Sequence, residues 1–116
     1  GLNNFKQNIL FGVGFGAYEF TTITFGKISY PHNIFIELLS ETGVIGITLF
    51  SIILVSTIRM LRKLYESMDL FSFLFVLSIF ITSFINANFS GHIGFNLMFW
   101  FSCGLIYSIA KLYYEK

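Results

Sequence analysis

Two imidazoles and two carboxylates stand out as groups whose types and spacing could do chemistry near neutral pH: His32, His92, Glu37 and Glu41. His32 is the first candidate, because an unperturbed imidazole pKa near ~6.5 lets it accept and return a proton. Asn33 beside it offers both a donor and an acceptor. Pro31 has a fixed φ and no N–H, so it suits the first turn of a helix and pushes Tyr30 towards an extended conformation. A helix is therefore expected from about His32. If it runs unbroken, His32, Ile36, Leu39, Gly43, Gly46 and Phe50 share one face, with glycines that let another helix approach closely in a bilayer. Glu37 lies more than a quarter turn from His32 and Glu41 nearly opposite, so a catalytic partner for His32 has to come from elsewhere. Both carboxylates sit on a helix about to enter lipid and must face water or a partner. His32 reads equally as a plain helix-start residue at the membrane interface. His92, flanked by Gly91 and Gly94, reads first as a solvated turn residue, with a site shared with His32 as the alternative. Two histidines in separate segments, without Cys or carboxylate at ligand spacing, predict neither a metal nor a cofactor.

A second stretch is Phe11-Gly12-Val13-Gly14-Phe15-Gly16-Ala17-Tyr18, with glycine at every second position. Its backbone can turn tightly or lie close against a ligand. Gly12, Gly14 and Ala17 fit the dinucleotide pattern G-x-G-x-x-G/A, but that fingerprint needs a βαβ unit around it, and an apolar helix follows instead. Two readings stay open: a turn packing its aromatics onto the bilayer surface, and a substrate-facing loop.

The elements that must position these residues are apolar. The chain is 55% hydrophobic and 20% aromatic with 11% charged residues, against about 25% charged in soluble domains. From Leu70 to Ala110 there is no Asp, Glu, Lys or Arg, which a small soluble domain could hardly keep out of water. The expected fold is an all-α membrane protein: an outer-face loop over residues 1–31, then a transmembrane helical region over 32–116 with spans at about 43–62, 70–86 and 95–112. A net charge of +1 without a clustered basic face excludes a nucleic-acid footprint. The single Cys103 forms no internal disulfide. Asn88-Phe89-Ser90 fits a glycosylation sequon but lies at a membrane boundary, where the match is read as chance. Because the chain opens on Gly1 without a leader-like segment, it reads as the C-terminal piece of a longer polytopic protein. Arg59, Arg62 and Lys63 follow the first span and Lys111 and Lys116 the third, so the positive-inside rule puts the C-terminus in the cytoplasm and His32, Glu37, Glu41 and His92 at the outer face.

His32-Asn33, nine residues, then Gly43-Val44-Ile45-Gly46 resembles the histidine-containing motif near the C-terminal end of the O-antigen ligase/polymerase family. The upstream Ile9-Leu10-Phe11-Gly12-Val13-Gly14-Phe15-Gly16 is similar to that family's glycine-rich loop segment. The resemblance implies a multi-pass enzyme of the bacterial plasma (inner) membrane that moves a glycan from an undecaprenyl-diphosphate carrier to an acceptor glycan or lipid. By it, His32 is the general base, Asn33 places the base or a sugar hydroxyl, and Tyr30, Gly14, Gly16 and Glu37 belong to the substrate site. A polymerase and a ligase share this motif. The family also uses outward arginines; Arg59 and Arg62 are on the inner side, so those arginines are expected in an upstream part of the protein. Two other readings remain. A polysaccharide or small-molecule transporter or flippase segment predicts ionisable residues near mid-membrane, which the expected spans lack. A non-catalytic packing subunit would leave His32 replaceable.

Overall fold

The computed structural model describes residues 8–14, 33–89 and 96–114. It is helical throughout these residues apart from the turn at 8–14 and short connections: α1 (Ile34–Ser67), α2 (Leu70–Phe89) and α3 (Leu97–Tyr114). Asn33 sets the start of α1. Its backbone is extended, and its side-chain oxygen accepts from the Phe35 and Ile36 amides at 3.0 and 3.2 Å, satisfying donors that a helix start otherwise leaves open. The helix thus begins at Ile34, two residues beyond the proline-based expectation of about His32. Glu37 lies in its first turn, where the positive end of the helix dipole favours a carboxylate.

Residues 44–58 of α1 are rich in Ile, Val and Thr, which are modest helix formers in water. A lipid environment reverses the balance, because an apolar segment there must satisfy its backbone internally. The hydroxyls follow the same logic: Thr42, Thr48, Ser51 and Thr57 each donate to the carbonyl four residues back, at 2.7–2.9 Å. Met68 is extended and ends α1. Asp69 then starts α2, its carboxylate accepting from the Ser72 amide at 2.9 Å. That amide, followed by the Ser72 hydroxyl, holds the exposed Asp69 carboxyl below the usual aspartate range.

α1 and α2 are antiparallel across this short connection, and α3 packs on both. Their core is aromatic. Phe99, fully buried, meets Phe50 at 5.8 Å, Phe84 at 5.9 Å, Phe80 at 6.3 Å and Trp100 at 5.1 Å between ring centroids. Phe35 ties the start of α1 to Phe50 at 5.9 Å and Phe84 at 6.5 Å. Polar contacts cross between the helices as well: Ser83 to Ser102 at 2.8 Å, and the Tyr107 hydroxyl to Ser56. Such hydroxyl pairs fit helices that associate without water to drive them.

Among the described residues, α1 and α2 are long and apolar enough to cross a membrane. Twenty residues of α2 reach about 30 Å, one hydrocarbon thickness. α3 holds 18 residues and is more polar, with Ser102, Ser108, Lys111 and three tyrosines; the third expected span is not shown. Leu49, Ile52, Phe71, Phe75 and Phe101 are turned outward, an apolar exterior consistent with a lipid bilayer.

Candidate functional site

α1 is interrupted at Gly43, whose φ of 64° and ψ of −158° fall in a region open essentially to glycine alone. The helix divides there into a short arm, residues 34–42, and a long arm, residues 44–67. In an unbroken helix the amide of Val44 would donate to Ser40 and that of Ile45 to Glu41. Here both pairs are diverted to residues 8–14. The amides of Val13 and Gly14 donate to the carbonyls of Ser40 and Glu41 at 3.0 and 2.9 Å, and the amides of Val44 and Ile45 donate to the carbonyls of Ile9 and Leu10 at 2.9 and 3.3 Å. A further bond within the turn, from Gly12 to the Asn8 carbonyl at 2.8 Å, closes it. The four groups exposed by the break are thereby all paired, as buried backbone requires.

Two glycines make this clasp possible. Gly12 has φ 67°, and a Cβ on it would overlap the Glu41 carbonyl and lie 2.6 Å from the Ser40 oxygen. A Cβ on Gly43 would overlap the Leu10 carbonyl and lie 2.7 Å from the Gly12 nitrogen. The backbones of the two segments therefore touch where side chains would stand. Ile9, Leu10 and Phe11 remain exposed on the outer side of the turn. The continuous face expected through Ile36, Leu39, Gly43, Gly46 and Phe50 does not form, because the break redirects the helix at Gly43. Nor do Gly43 and Gly46 form a two-glycine helix–helix contact: Gly43 faces the 8–14 turn, and a Cβ on Gly46 would overlap the Thr42 side chain of its own helix.

The short arm carries the candidate polar residues. Glu37 and Glu41, 3% and 1% exposed, are one turn apart on its buried side, and each has contacts of its own. Ser40 is buried with them and donates to the Glu37 carbonyl at 2.9 Å. Carboxylates at this place must face water or a partner; both are turned inward, and both have contacts of their own. Asn33, half-buried, holds the helix start with its amide oxygen. Gly14 is exposed, with φ 109°, and its amide is bonded to the Glu41 carbonyl. Asn33, Glu37 and Gly14 are thus gathered on one small unit, the short arm with its clasped turn. Tyr30, His32, Gly16 and His92 lie outside the described residues, as does most of the expected 1–31 loop.

Among the described residues no three His, Cys, Asp or Glu side chains are grouped as for a metal. A groove of about 480 Å³ runs between α2 and α3, with Ser78, Thr82, Ser83 and Asn86 on one wall and Met98 and Phe101 on the other.

No family model, no curated protein and no solved structure matches this chain. The clasp is also the feature that sequence reasoning missed. Both glycine segments were visible, but a pairing made by backbone groups leaves no side-chain signal. A glycine within the Ile- and Val-rich start of a span, with a glycine-rich turn upstream, is the only trace available.

Proposed function

We propose that the chain is part of a multi-pass membrane glycosyltransferase of the O-antigen ligase/polymerase type, acting at the outer face of the bacterial plasma membrane. Its donor is an undecaprenyl-diphosphate-linked glycan and its acceptor a glycan or lipid. In this reading α3 is a third span, His32 lies outside and the C-terminus is cytoplasmic. His32 takes the proton from an acceptor hydroxyl; that oxygen forms the new bond to the anomeric carbon, and the bond from that carbon to the diphosphate oxygen breaks. The carrier diphosphate leaves with the electron pair. Outward arginines from another part of the protein neutralise it through charge-assisted hydrogen bonds. In the groove between α2 and α3, Ile79, Met98 and Phe101 offer apolar surface to the carrier's isoprenoid tail beside the hydroxyls of Ser78 and Thr82.

One observation carries this reading: the two segments on which the family resemblance rests are bonded to each other through the break at Gly43. The clasp ties the short arm, which begins at the Asn33 cap, to the glycine-rich turn. A discontinuous helix also suits a transporter, in which open half-helix ends hold cargo or ions. In this chain the carbonyls of Ser40 and Glu41 and the amides of Val44 and Ile45 are taken up by the turn, which favours a scaffold over a cargo site.

The test is His32→Ala in the full-length protein, in cells lacking the native copy. Glycan transfer is expected to disappear while the membrane level of the protein stays unchanged. Wild-type transfer by that variant removes His32 as the base and returns it to a helix-start residue.

A further inference from the structure

The break at Gly43 does not only interrupt α1; it folds the short arm back along the bundle. In a straight helix Phe35 and Phe50 would stand about 22 Å apart along the axis. Their rings instead meet at 5.9 Å, and Phe35 also reaches Phe84 of α2 at 6.5 Å. Ile34 and Leu38 are buried in the same core as Phe50, Phe80 and Phe99. The arm therefore starts at the level of the aromatic cluster and runs away from it to Gly43, where the chain reverses.

Basic residues give that level a depth. Arg62 on α1 and Lys111 on α3 each follow a ring of the cluster, Phe50 or Phe99, by twelve residues, about 18 Å of helix. Gly43 precedes Arg62 by nineteen residues, about 28 Å, close to one hydrocarbon thickness. With the basic residues at the inner boundary, the break lies at the outer boundary and the Asn33 end of the arm about 10 Å beneath it.

The arm's burial pattern fits lipid and not water. Its polar side chains Glu37, Ser40 and Glu41 are buried, while its exposed ones are Phe35 and Ile36. Helices that lie on a membrane surface show the opposite arrangement, with charged residues turned out to water. Backbone groups at the two ends of the arm are paired as well. Asn33 takes the Phe35 and Ile36 amides, and the turn takes the groups freed at Gly43, as non-helical backbone at membrane depth requires. The hydroxyls of Ser40 and Thr42 donate to carbonyls of the arm itself. Phe35 and Ile36 join an exterior already apolar at Val44, Ile45 and Leu49.

We infer that the short arm is a re-entrant helix embedded in the outer half of the bilayer, with Phe35 and Ile36 against lipid acyl chains. The inference rests on the membrane reading above and is independent of the transfer chemistry. In the transfer reading, water and acceptor reach the Asn33 end of the arm through a recess open to the outer side.

The experiment places single cysteines at Ile36, Val44, Leu49 and Glu66, all exposed, in the full-length protein. Each is labelled with a nitroxide and reconstituted in vesicles of phosphatidylglycerol and phosphatidylcholine. Power saturation with oxygen, which concentrates in hydrocarbon, and with a nickel chelate, which stays in water, reads the depth of each label. The label in Ile36→Cys is expected level with that in Leu49→Cys and about 10 Å deeper than that in Val44→Cys, whereas a straight helix would put it about 12 Å further out than Val44. Glu66→Cys is expected in water. Phe35→Cys repeats the measurement if Ile36→Cys does not fold. An Ile36 label no deeper than the Val44 label puts the arm on the surface and overturns the inference. A label sealed from both reagents does so too, because protein rather than lipid then covers the arm. A nickel chelate that reaches Leu49 as freely as Glu66 overturns the membrane reading with it, whereas wild-type transfer by His32→Ala leaves the depth of the arm untouched.

Discussion

A methyl group added to Gly43 would collide with the Leu10 carbonyl, whereas one added to Gly104 in α3 would meet nothing within 4 Å. The two glycines are thus a matched pair for testing the clasp. Gly43→Ala and Gly12→Ala each force a side chain into a positive-φ conformation, worth about 1–3 kcal/mol in strain alone, and into backbone that has little room to yield. Both variants are expected to lose most of their thermal stability in detergent and their steady-state membrane level. Gly104→Ala should be neutral or stabilise by up to about 1 kcal/mol, the helix-propensity gain over glycine. A Gly43→Ala protein that melts with the wild type would show that the break is not held as described. Residue types at the candidate site were legible in the sequence: Gly12, Gly14, Asn33, Gly43 and the two glutamates all drew attention. Their surroundings were not. Asn33 serves as a helix cap, a role that needs only its amide oxygen and a following helix, and Glu37 and Glu41 are buried on an arm that a turn from far upstream clasps through its backbone.

Helices α1 and α2 were legible as elements because long apolar runs without charge have few other folded forms. The expected spans at 70–86 and 95–112 lie within a few residues of α2 and α3. The first span at 43–62 falls inside a longer helix that extends on both sides, and its start coincides with the break. That break was illegible because one glycine in a helix is tolerated at about 1 kcal/mol, and only the incoming turn turns tolerance into interruption. Packing between the elements centres on Phe99, which contacts rings from α1 and α2 and its own helix neighbour. Phe99→Ala is expected to destabilise the three-helix unit by about 3 kcal/mol, near the lower limit for buried Phe→Ala, since lipid adds no water-transfer term to helix association. The measurement is the denaturation midpoint in mixed micelles. A shift no larger than that of outward-facing Phe101→Ala would mean that Phe99 is not central to the packing.

For the molecule as a whole, composition was the strongest signal: the described residues outside the 8–14 turn and short connections are helical, and two of the helices are long and apolar enough to cross a membrane. Orientation comes from Lys and Arg placement and has a direct test. The native Cys103 is 5% exposed, so introduced cysteines can be labelled over a low background. In intact cells, an impermeant maleimide is expected to modify a cysteine replacing His32, and to reach one replacing Ser67 only after the membrane is opened. Labelling of position 32 only after opening reverses the topology and removes the proposed enzyme's reactive group from its substrate. The clasp at Gly43 also bears on the order of events as the protein is made. Translation delivers residues 8–14 well before Val44 and Ile45, so the turn leaves the ribosome with two carbonyls and two amides awaiting a partner that does not yet exist. Until the first span is delivered, those groups must be hydrated, and the turn joins its helix only as that water is released.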